Sequence, residues 1–328
     1  MKSTAAVLTG LGGFLPGPPI GNSEIAERLG VSPEWIVQRT GIHARHYSPP
    51  GMTTSDLAYE AGMRALGGED AASIDLLVLA TTTPDHLCPA TAPAVAARLG
   101  SGTVPAFDIS AVCAGFVYGM AVATALVESG MAERAMVIGA EIYSTILDPH
   151  DRSTAAIFGD GAGAVVLRAG QPEEPGAVQA IDLGSDGSHA DLIMIPGGGA
   201  RARSSRAEAQ WSPYFTMQGR HVFAEAVRRM VESSAAVTKK AGWDGDDVTK
   251  LVAHQANVRI LRAVADELGM PRERAAVHLD RVGNTSAASI PLALDHIRGE
   301  LRAGDRIVLT AFGGGTAWGS VALTWPEL

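Results

Sequence analysis

A cysteine in the setting of a nucleophile lies at residue 113. The apolar run 104–109 before it predicts a short buried strand, and the run from 114 to about 129 predicts a helix with almost no polar face. Cys113 therefore lies where a strand turns into a helix, beside unpaired backbone N–H groups and the positive end of the helix dipole. That setting stabilises a thiolate and can lower a cysteine pKa from about 8.5 to roughly 3.5–7.5. The alternative is a buried structural cysteine.

Two further side chains have the chemistry to act with this thiol. His254 ends a predicted strand within 251–257, and Asn284 lies in the turn Gly283-Asn284-Thr285-Ser286-Ala287-Ala288-Ser289. Taken singly, His254 fits a packed core histidine and Asn284 a helix cap. The run Gly313-Gly314-Gly315 predicts either a tight turn or a bare backbone that can approach a ligand closely. Together these residues offer one nucleophile and two hydrogen-bond donors.

Strands and helices alternate along the chain and would position these residues. The predicted strands are 5–11, 75–82, 104–109, 135–139, 164–168 and 251–257. The predicted helices are 22–29, 35–39, 53–66, 89–99 and 114–129. This alternation predicts a mainly parallel, layered α/β fold.

The second half of the chain repeats the first. Asp280-Arg281 follows Asp108-Ile109 by 172 residues, and Asp305-Arg306 follows Glu133-Arg134 by the same distance. At this offset Cys113 corresponds to a position near Thr285. The later strands match at an offset of 156, which predicts a 16-residue insertion in the first half around 142–157. Two such βα halves predict a pseudo-twofold molecule with catalytic turns from both halves around one site.

Composition excludes several classes of protein. The hydrophobic content of 46% and charged content of 19% are typical of a globular chain and not of a disordered one. The net charge of −9 argues against nucleic-acid binding. Two cysteines argue against a disulfide framework and favour a reducing cytoplasm. The longest uncharged run, 109–127, contains Ser, Gly and Thr and is better divided into a strand end and a core helix than taken as a membrane span.

Several motifs in order make the chain resemble the β-ketoacyl-acyl carrier protein synthase III family of the thiolase superfamily. The resemblance is carried by the Cys113 turn, His254-Gln255-Ala256-Asn257, the Asn284 turn, and three flanking stretches that extend it almost end to end. Those stretches are Glu34-Trp35-Ile36-Val37-Gln38-Arg39-Thr40-Gly41-Ile42, Phe158-Gly159-Asp160-Gly161-Ala162-Gly163-Ala164 and Phe312-Gly313-Gly314-Gly315-Thr316-Ala317-Trp318-Gly319-Ser320. The resemblance implies a thiolase-like fold in five layers, α-β-α-β-α, with halves 1–172 and 173–328, and a homodimer.

The resemblance also implies a reaction. Cys113 would take an acyl primer from coenzyme A, with the N–H groups of Cys113 and Gly314 as oxyanion hole. Malonyl-acyl carrier protein would then lose CO2, and neutral His254 and Asn284 would donate to the resulting enolate. The carbanion would attack the acyl group on Cys113 and start a fatty acid or polyketide chain. No metal or redox cofactor is expected, and coenzyme A enters as substrate.

Binding residues follow from the same resemblance. Trp35 and Arg39 lie four apart on one predicted helix, so they share a face and could sandwich an adenine. Arg152 and Asn257 match positions that contact coenzyme A. Arg259 and Arg262 would form a basic patch for an acidic carrier protein; a solvated helix face is the alternative.

The chain departs from several acetyl-using relatives at Cys88. Those relatives carry an aromatic residue there, which reaches across the dimer interface to shape the acyl pocket. A small Cys88 leaves more room, which predicts a primer larger than acetyl, branched or of medium length. A second catalytic thiol is not expected at Cys88.

Three other functions remain as alternatives. A cysteine hydrolase would share the order Cys, His, Asn, but Ala111-Val112-Cys113-Ala114-Gly115 lacks the local signature of papain-like proteases and is an incomplete nucleophile elbow. An acyltransferase would pass the acyl group from Cys113 to an alcohol, amine or carrier thiol without releasing CO2. A non-catalytic partner subunit would not be expected to keep Cys113, His254 and Asn284.

Overall fold

Two large β-sheets, two small two-stranded sheets and the helices around them make up the described part of the chain. The computed structural model describes residues 4–205 and 211–328. The strands are β1 Ala5–Phe14, β2 Ile20–Gly21, β3 Ala44–Arg45, β4 Leu76–Ala80, β5 Ala106–Ile109, β6 Arg134–Glu141, β7 Gly161–Gly170, β8 Val178–Ser185, β9 Ile193–Met194, β10 Thr216–Met217, β11 Lys250–Ala253, β12 Arg306–Gly313 and β13 Ala317–Thr324. The helices are α1 Asn22–Leu29, α2 Pro33–Thr40, α3 Thr54–Leu66, α4 Ala92–Leu99, α5 Gly115–Glu128, α6 Ala200–Ser204, α7 Gly219–Lys240, α8 Val258–Glu267, α9 Leu279–Val282 and α10 Ser289–Ile297.

The two large sheets are mixed, so the predicted mainly parallel arrangement is wrong. The first has the order β1-β7-β6-β4-β5 and the second β11-β12-β13-β8. In the first, β4 runs parallel to β5 and β6, whereas β7 is antiparallel to both neighbours. In the second, β12 is parallel to β11 but antiparallel to β13. Residues 314–316 join β12 to β13 as a hairpin, which forces antiparallel pairing. Helices on both faces still make these strands apolar throughout, which is the pattern of a parallel sheet.

Five layers result, and they confirm the predicted α-β-α-β-α arrangement. Helix α3 packs on the first sheet, α7 packs on the second, and α5 and α10 lie between the two sheets. Helix α5 contacts strands of both sheets, which explains its nearly continuous apolar sequence. Strand β5 lies at a sheet edge and is half-buried, so the prediction of a buried strand at 104–109 is too strong.

The internal repeat is real in the strands but shifts by two residues at the catalytic turns. Strand β12 begins 172 residues after β6 and pairs with β13 as β6 pairs with β7. The turns before α5 and α10 match at 174 instead, because Val112 and Ser286 each have φ of 48°. Cys113 therefore corresponds to Ala287, not to a position near Thr285.

The predicted constant offset also fails at the strand before the turn. The positions that correspond to β5 fall at helix α9, and the second half keeps one isolated bridge there, between Leu251 and Ala275. The insertion predicted around 142–157 is the long connection from β6 to β7, which contrasts with the three residues between β12 and β13.

Candidate active site

Cys113 lies in a tight turn that leads from β5 into α5. The turn covers Val112–Ala114, and the backbone N–H of Ala114 donates to the carbonyl of Ala111 at 3.0 Å. Val112 adopts left-handed backbone geometry, with φ of 48°, which is strained for a β-branched residue. The strained residue therefore comes directly before the candidate nucleophile. Cys113 itself is 6% exposed.

The predicted lowering of the Cys113 pKa is wrong for the closed site. Burial is the main cause that raises the pKa of the thiol to about 12; a hydrogen bond from Ser286 acts against this rise, and the negative charge of Glu141 adds to it. The turn does precede the N-terminus of α5, where the dipole favours an anion. Loss of water around the sulfur outweighs that attraction, so the resting group is a thiol.

His254 follows β11 and is held by hydrogen bonds to its backbone and to its ring. Its backbone N–H donates to Thr310 of β12 at 2.8 Å, and Nδ1 lies 2.6 Å from the hydroxyl of Ser289. That hydroxyl already accepts the backbone N–H of Gln255 at 3.3 Å. We therefore infer that the Ser289 hydroxyl donates to Nδ1. Nδ1 is then unprotonated, and the ring proton lies on Nε2. Burial lowers the pKa of His254 to about 3, so the ring is neutral.

Asn284 is fixed by backbone contacts from both halves. Its N–H donates to Ile157 at 2.9 Å, and its carbonyl accepts the N–H of Gly159 at 3.0 Å. The side-chain Oδ1 accepts the backbone N–H of Ser286 at 2.9 Å. With the oxygen occupied in this way, the amide NH2 is the end available as a donor.

The three residues meet in one enclosed apolar cavity of about 30 Å³. Cys113, His254 and Asn284 all line it. The rest of the wall is apolar and consists of Phe158, Ile193, Phe215, Met217, Val222, Ala226, Met230, Ala256, Ile260 and Phe312. A site of this kind keeps water away and strengthens hydrogen bonds to a developing negative charge. Three residues that are 30 to 171 positions apart in sequence thus line the same cavity.

The glycine run after β12 packs directly on the nucleophile turn. A Cβ placed on Gly313 would lie 2.8 Å from the backbone nitrogen of Cys113 and 2.9 Å from that of Ala114. A Cβ on Gly314 would lie 3.2 Å from the Val112 side chain and 3.0 Å from the carbonyl oxygen of Ile193. The absence of side chains at these glycines therefore lets the loop pack against the Cys113 turn, with Gly314 beside it.

Replacing Gly313 by alanine is expected to destabilise the fold by about 1–3 kcal/mol, because backbone atoms of the Cys113 turn must move aside. Thermal unfolding would measure this, and acylation of Cys113 should slow as the turn shifts. Gly299→Ala is the matched control, since an added Cβ there meets nothing within 4 Å. Equal melting temperatures for the two variants would contradict the packing argument.

Trp35 and Arg39 share a face of α2, as predicted, but they contact each other. The Arg39 guanidinium carbon lies 4.5 Å from the centre of the Trp35 ring. That spacing is a cation–π contact and leaves no gap for a base between the two groups. The expected adenine sandwich is therefore closed in this structure. Arg39 is exposed, whereas Trp35 is half-buried against the small cluster around Ile25 and Ile36.

Asn257 has a structural role that the sequence did not reveal. Its Oδ1 accepts the backbone N–H of Arg259 at 2.8 Å and so caps α8, and its Nδ2 donates to the carbonyl of Arg39 at 2.9 Å. This pair of bonds ties α2 to α8. One N–H of the amide and one lone pair of its oxygen remain for a ligand. Arg152 is exposed and lies near Gly30, at the end of α1.

The remaining predicted residues lie on the surface. Arg259 and Arg262 are exposed on α8, three residues apart. Cys88 is an exposed free thiol in the loop before α4 and is absent from the wall of the Cys113 cavity. Its neighbour Leu87 is 75% exposed and borders a separate open cleft of about 550 Å³.

Sequence reasoning missed the polar residues behind Cys113. Glu141, Tyr143 and Ser286 are completely buried there, and Ser289 holds His254. Ser286 and Ser289 belong to a motif that was noticed for its asparagine. Glu141 had a signal of its own, because a carboxylate at the end of the apolar run Ala135-Met136-Val137-Ile138-Gly139-Ala140 has to find buried partners.

Two negative findings apply to residues 4–205 and 211–328. Within these ranges no helix is long and apolar enough to cross a bilayer. Nor do three or more His, Cys, Asp or Glu side chains in these ranges cluster as metal ligands would.

Comparisons with known proteins agree along the whole chain. The family model for 3-oxoacyl-[acyl-carrier-protein (ACP)] synthase III matches residues 107–187, and the model for its C-terminal part matches residues 238–325. The chain is 56% identical to β-ketoacyl-[acyl-carrier-protein] synthase III 3 of Streptomyces coelicolor, over 99% of this chain and 98% of that protein.

Solved structures give the same result. The crystal structure of 3-oxoacyl-(acyl carrier protein) synthase III from Pseudomonas aeruginosa superposes with a TM-score of 0.92 at 50% identity, covering 99% of each chain. The priming β-ketosynthase of the R1128 polyketide pathway has a TM-score of 0.92 at 31% identity, covering 99% of this chain and 97% of that one.

Proposed function

The chain belongs to the 3-oxoacyl-[acyl-carrier-protein] synthase III family, and from that premise we propose the role of each residue in its site. The protein is a decarboxylating acyltransferase of the condensing type, which starts an acyl chain. The assignment of roles rests on one observation, the meeting of Cys113, His254 and Asn284 in a single apolar cavity.

In the first half-reaction, Cys113 takes the primer from coenzyme A. The sulfur attacks the thioester carbonyl, a carbon–sulfur bond forms, and coenzyme A leaves as its thiolate. The carbonyl oxygen becomes negative in this step and would accept hydrogen bonds from the backbone N–H groups of Cys113 and Gly314. The contact of the glycine loop with the Cys113 turn supports this pairing of donors.

In the second half-reaction, malonyl-acyl carrier protein loses CO2 and attacks the acyl group. Electrons of the breaking carbon–carbon bond pass to the thioester oxygen, which becomes an enolate. The Nε2–H of neutral His254 and the NH2 of Asn284 would both donate to that oxygen. The carbanion then forms the new carbon–carbon bond and releases the Cys113 sulfur. The neutral ring and the occupied Oδ1 of Asn284 support these donor roles.

Coenzyme A is proposed to bind over α2 and α8. Trp35, Arg39, Arg152 and Asn257 would supply its contacts, and the hydrogen bond from Asn257 to Arg39 brings the two helices together beside the His254 loop. Adenine would enter by displacing the guanidinium of Arg39 from the Trp35 ring. Arg259 and Arg262, exposed on α8, would receive an acidic carrier protein.

We also propose a homodimer of chains whose pseudo-repeated halves are 1–172 and 173–328. Strand β5 ends the first sheet with an unpaired edge, and Leu87 in the loop between β4 and α4 is largely exposed. The thiol and the two neutral donors suffice for this chemistry, which needs no metal or redox cofactor. Both cysteines are free, which favours a cytoplasmic location.

The primer is proposed to be larger than acetyl, branched or of medium length. Support comes from the small side chain of Cys88 and from the open cleft of about 550 Å³ beside Leu87, which extends along Ile142 and Ile146. The cavity at Cys113, of about 30 Å³, is too small for such a chain, so its wall would have to move to admit the primer.

A panel of acyl-coenzyme A thioesters tests both the activity and this preference. Intact-mass measurement is expected to show one acyl group per chain, with faster loading of branched and medium chains than of acetyl. Release of CO2 from malonyl-acyl carrier protein separates a condensing enzyme from a simple acyltransferase. A clear preference for acetyl would overturn the primer proposal and would match the small closed cavity.

A further inference from the structure

A buried carboxyl group lies behind the nucleophile, at the end of β6. Glu141 is completely buried. Its Oε2 accepts the backbone N–H of Thr82 at 2.9 Å and the hydroxyls of Thr83 at 3.1 Å and Thr81 at 3.4 Å. Its other oxygen, Oε1, is buried without a hydrogen-bond partner. An unpaired carboxyl oxygen in the interior is costly, so its function needs an explanation.

Ser286 lies between this carboxyl group and the Cys113 sulfur. Its hydroxyl is hydrogen-bonded to Sγ of Cys113 at 3.6 Å and to the hydroxyl of Tyr143 at 3.3 Å. The strained backbone of Ser286, with φ of 48°, fixes this side chain in the turn before α10. The hydroxyl also lies close enough to the Glu141 carboxylate to lower its pKa, although it makes no hydrogen bond to Oε1 in this conformation.

In the resting site the proton stays on the sulfur, because burial raises the pKa of the Cys113 thiol to about 12, above that of Glu141, so transfer to the carboxylate can occur only together with attack on the thioester. Burial raises the pKa of Glu141 to about 7, the range in which a carboxylate is an effective proton acceptor near neutral pH. The pKa of Tyr143 is raised well above its ordinary value by burial and by Cys113 and Glu141, so the phenol stays neutral. The ionisable groups that face Glu141 are thus Cys113 and Tyr143, and Thr81, Thr82, Thr83 and Ser286 are neutral.

We propose that Glu141 acts on Cys113 through Ser286 as a positioning residue that takes up and stores the thiol proton. This role rests on the proposed function of Cys113. As the sulfur attacks the thioester, the Ser286 hydroxyl rotates its hydrogen from Sγ toward the Glu141 carboxylate, the thiol proton passes to Oγ of Ser286, and the serine hydroxyl proton passes to the carboxylate of Glu141. The carbon–sulfur bond to Cys113 forms, the bond to coenzyme A breaks, and the departing thiolate takes a proton from water.

The stored proton returns in the second half-reaction. When the carbanion attacks the acyl group, the Cys113 sulfur leaves as a thiolate. Glu141 then returns its proton through Ser286, and the enzyme is back in its resting thiol form. Charge and protons balance over the cycle, because the one proton consumed from water is the one on free coenzyme A.

Single-turnover acylation of the full chain between pH 5.5 and 8.5 tests this route by intact mass, with a primer that the wild type accepts. The wild-type rate is expected to fall about tenfold per pH unit below pH 7, because protonated Glu141 cannot accept, and to level off above it. Glu141→Gln should be at least tenfold slower on the plateau and should lose this limb. Ser286→Ala should do the same with the carboxyl group in place, which keeps the test open if Glu141→Gln fails to fold.

Two further variants separate the route from a structural role. Glu141→Asp keeps an ionisable group and should restore the limb, and Tyr143→Phe should keep it, since the phenol is not on the path. A wild-type limb in Glu141→Gln, or its loss in Tyr143→Phe, would overturn the proposal. A wild-type protein that gains no acyl group at any pH would instead overturn the assignment of Cys113.

Discussion

Cys113→Ala is expected to abolish the acyl-enzyme and to lower condensation by roughly 10⁴-fold or more, the scale of losing a covalent nucleophile. Decarboxylation of malonyl-acyl carrier protein should continue, because His254 and Asn284 still line the cavity. Acylation and decarboxylation depend on different side chains, so this one variant should remove acylation and condensation and leave decarboxylation.

Intact mass and release of labelled CO2 measure the two activities on the same sample. Cys88→Ala is the matched cysteine variant and should still gain one acyl group, since Cys88 is exposed and lies outside the cavity wall. If Cys88→Ala gained no acyl group and Cys113→Ala still gained one, the assignment of Cys113 would be contradicted. Loss of CO2 release in Cys113→Ala at an unchanged melting temperature would contradict it as well.

His254→Ala and Asn284→Ala should show the reverse pattern. Each removes one donor to the enolate oxygen, and a donor of this kind contributes about 10²–10³-fold in rate. Acylation of Cys113 should remain within a few-fold of wild type. Because both donors act on the same oxygen, the double variant is expected to lose less than the product of the two single effects.

The pH dependence of CO2 release checks the state of His254. Burial lowers the pKa of His254 to about 3, so the ring is neutral and its Nε2–H is present across pH 5–8. CO2 release should therefore show no limb near the ordinary histidine pKa of about 6.5. Asn284→Asp adds a shape control, since it replaces the NH2 donor by an oxygen that repels the enolate. A limb near pH 6.5 that disappears in His254→Ala would show a charged ring and contradict this electrostatic picture.

The sequence by itself determined the framework of the site. Turns at the ends of apolar runs locate Cys113, His254 and Asn284, and the repeat predicts two halves whose turns surround one site. The apolar sequence of α5 specifies a helix between two sheets, and the long connection after β6 is visible as an insertion. These features depend on periodicity and on local turn chemistry, which act over a few neighbouring residues.

Tertiary structure decided whatever depends on contacts between distant segments. It places the Arg39 guanidinium in contact with the Trp35 ring, and it makes Asn257 the N-cap of α8. It reversed the expected shift in the pKa of Cys113, since burial by other elements outweighs the adjacent helix end.

The surroundings of the Glu141 carboxyl group also depend on contacts between distant segments. Glu141, Ser286 and Cys113 come from three separate elements, and Ser286 is 173 residues from Cys113 along the chain. Neither their hydrogen bonds nor the loss of water that raises the pKa of Glu141 exists until the first sheet and the turn before α10 pack together. Local patterns thus determine where side chains leave the backbone, and the packed interior determines their charge and their partners.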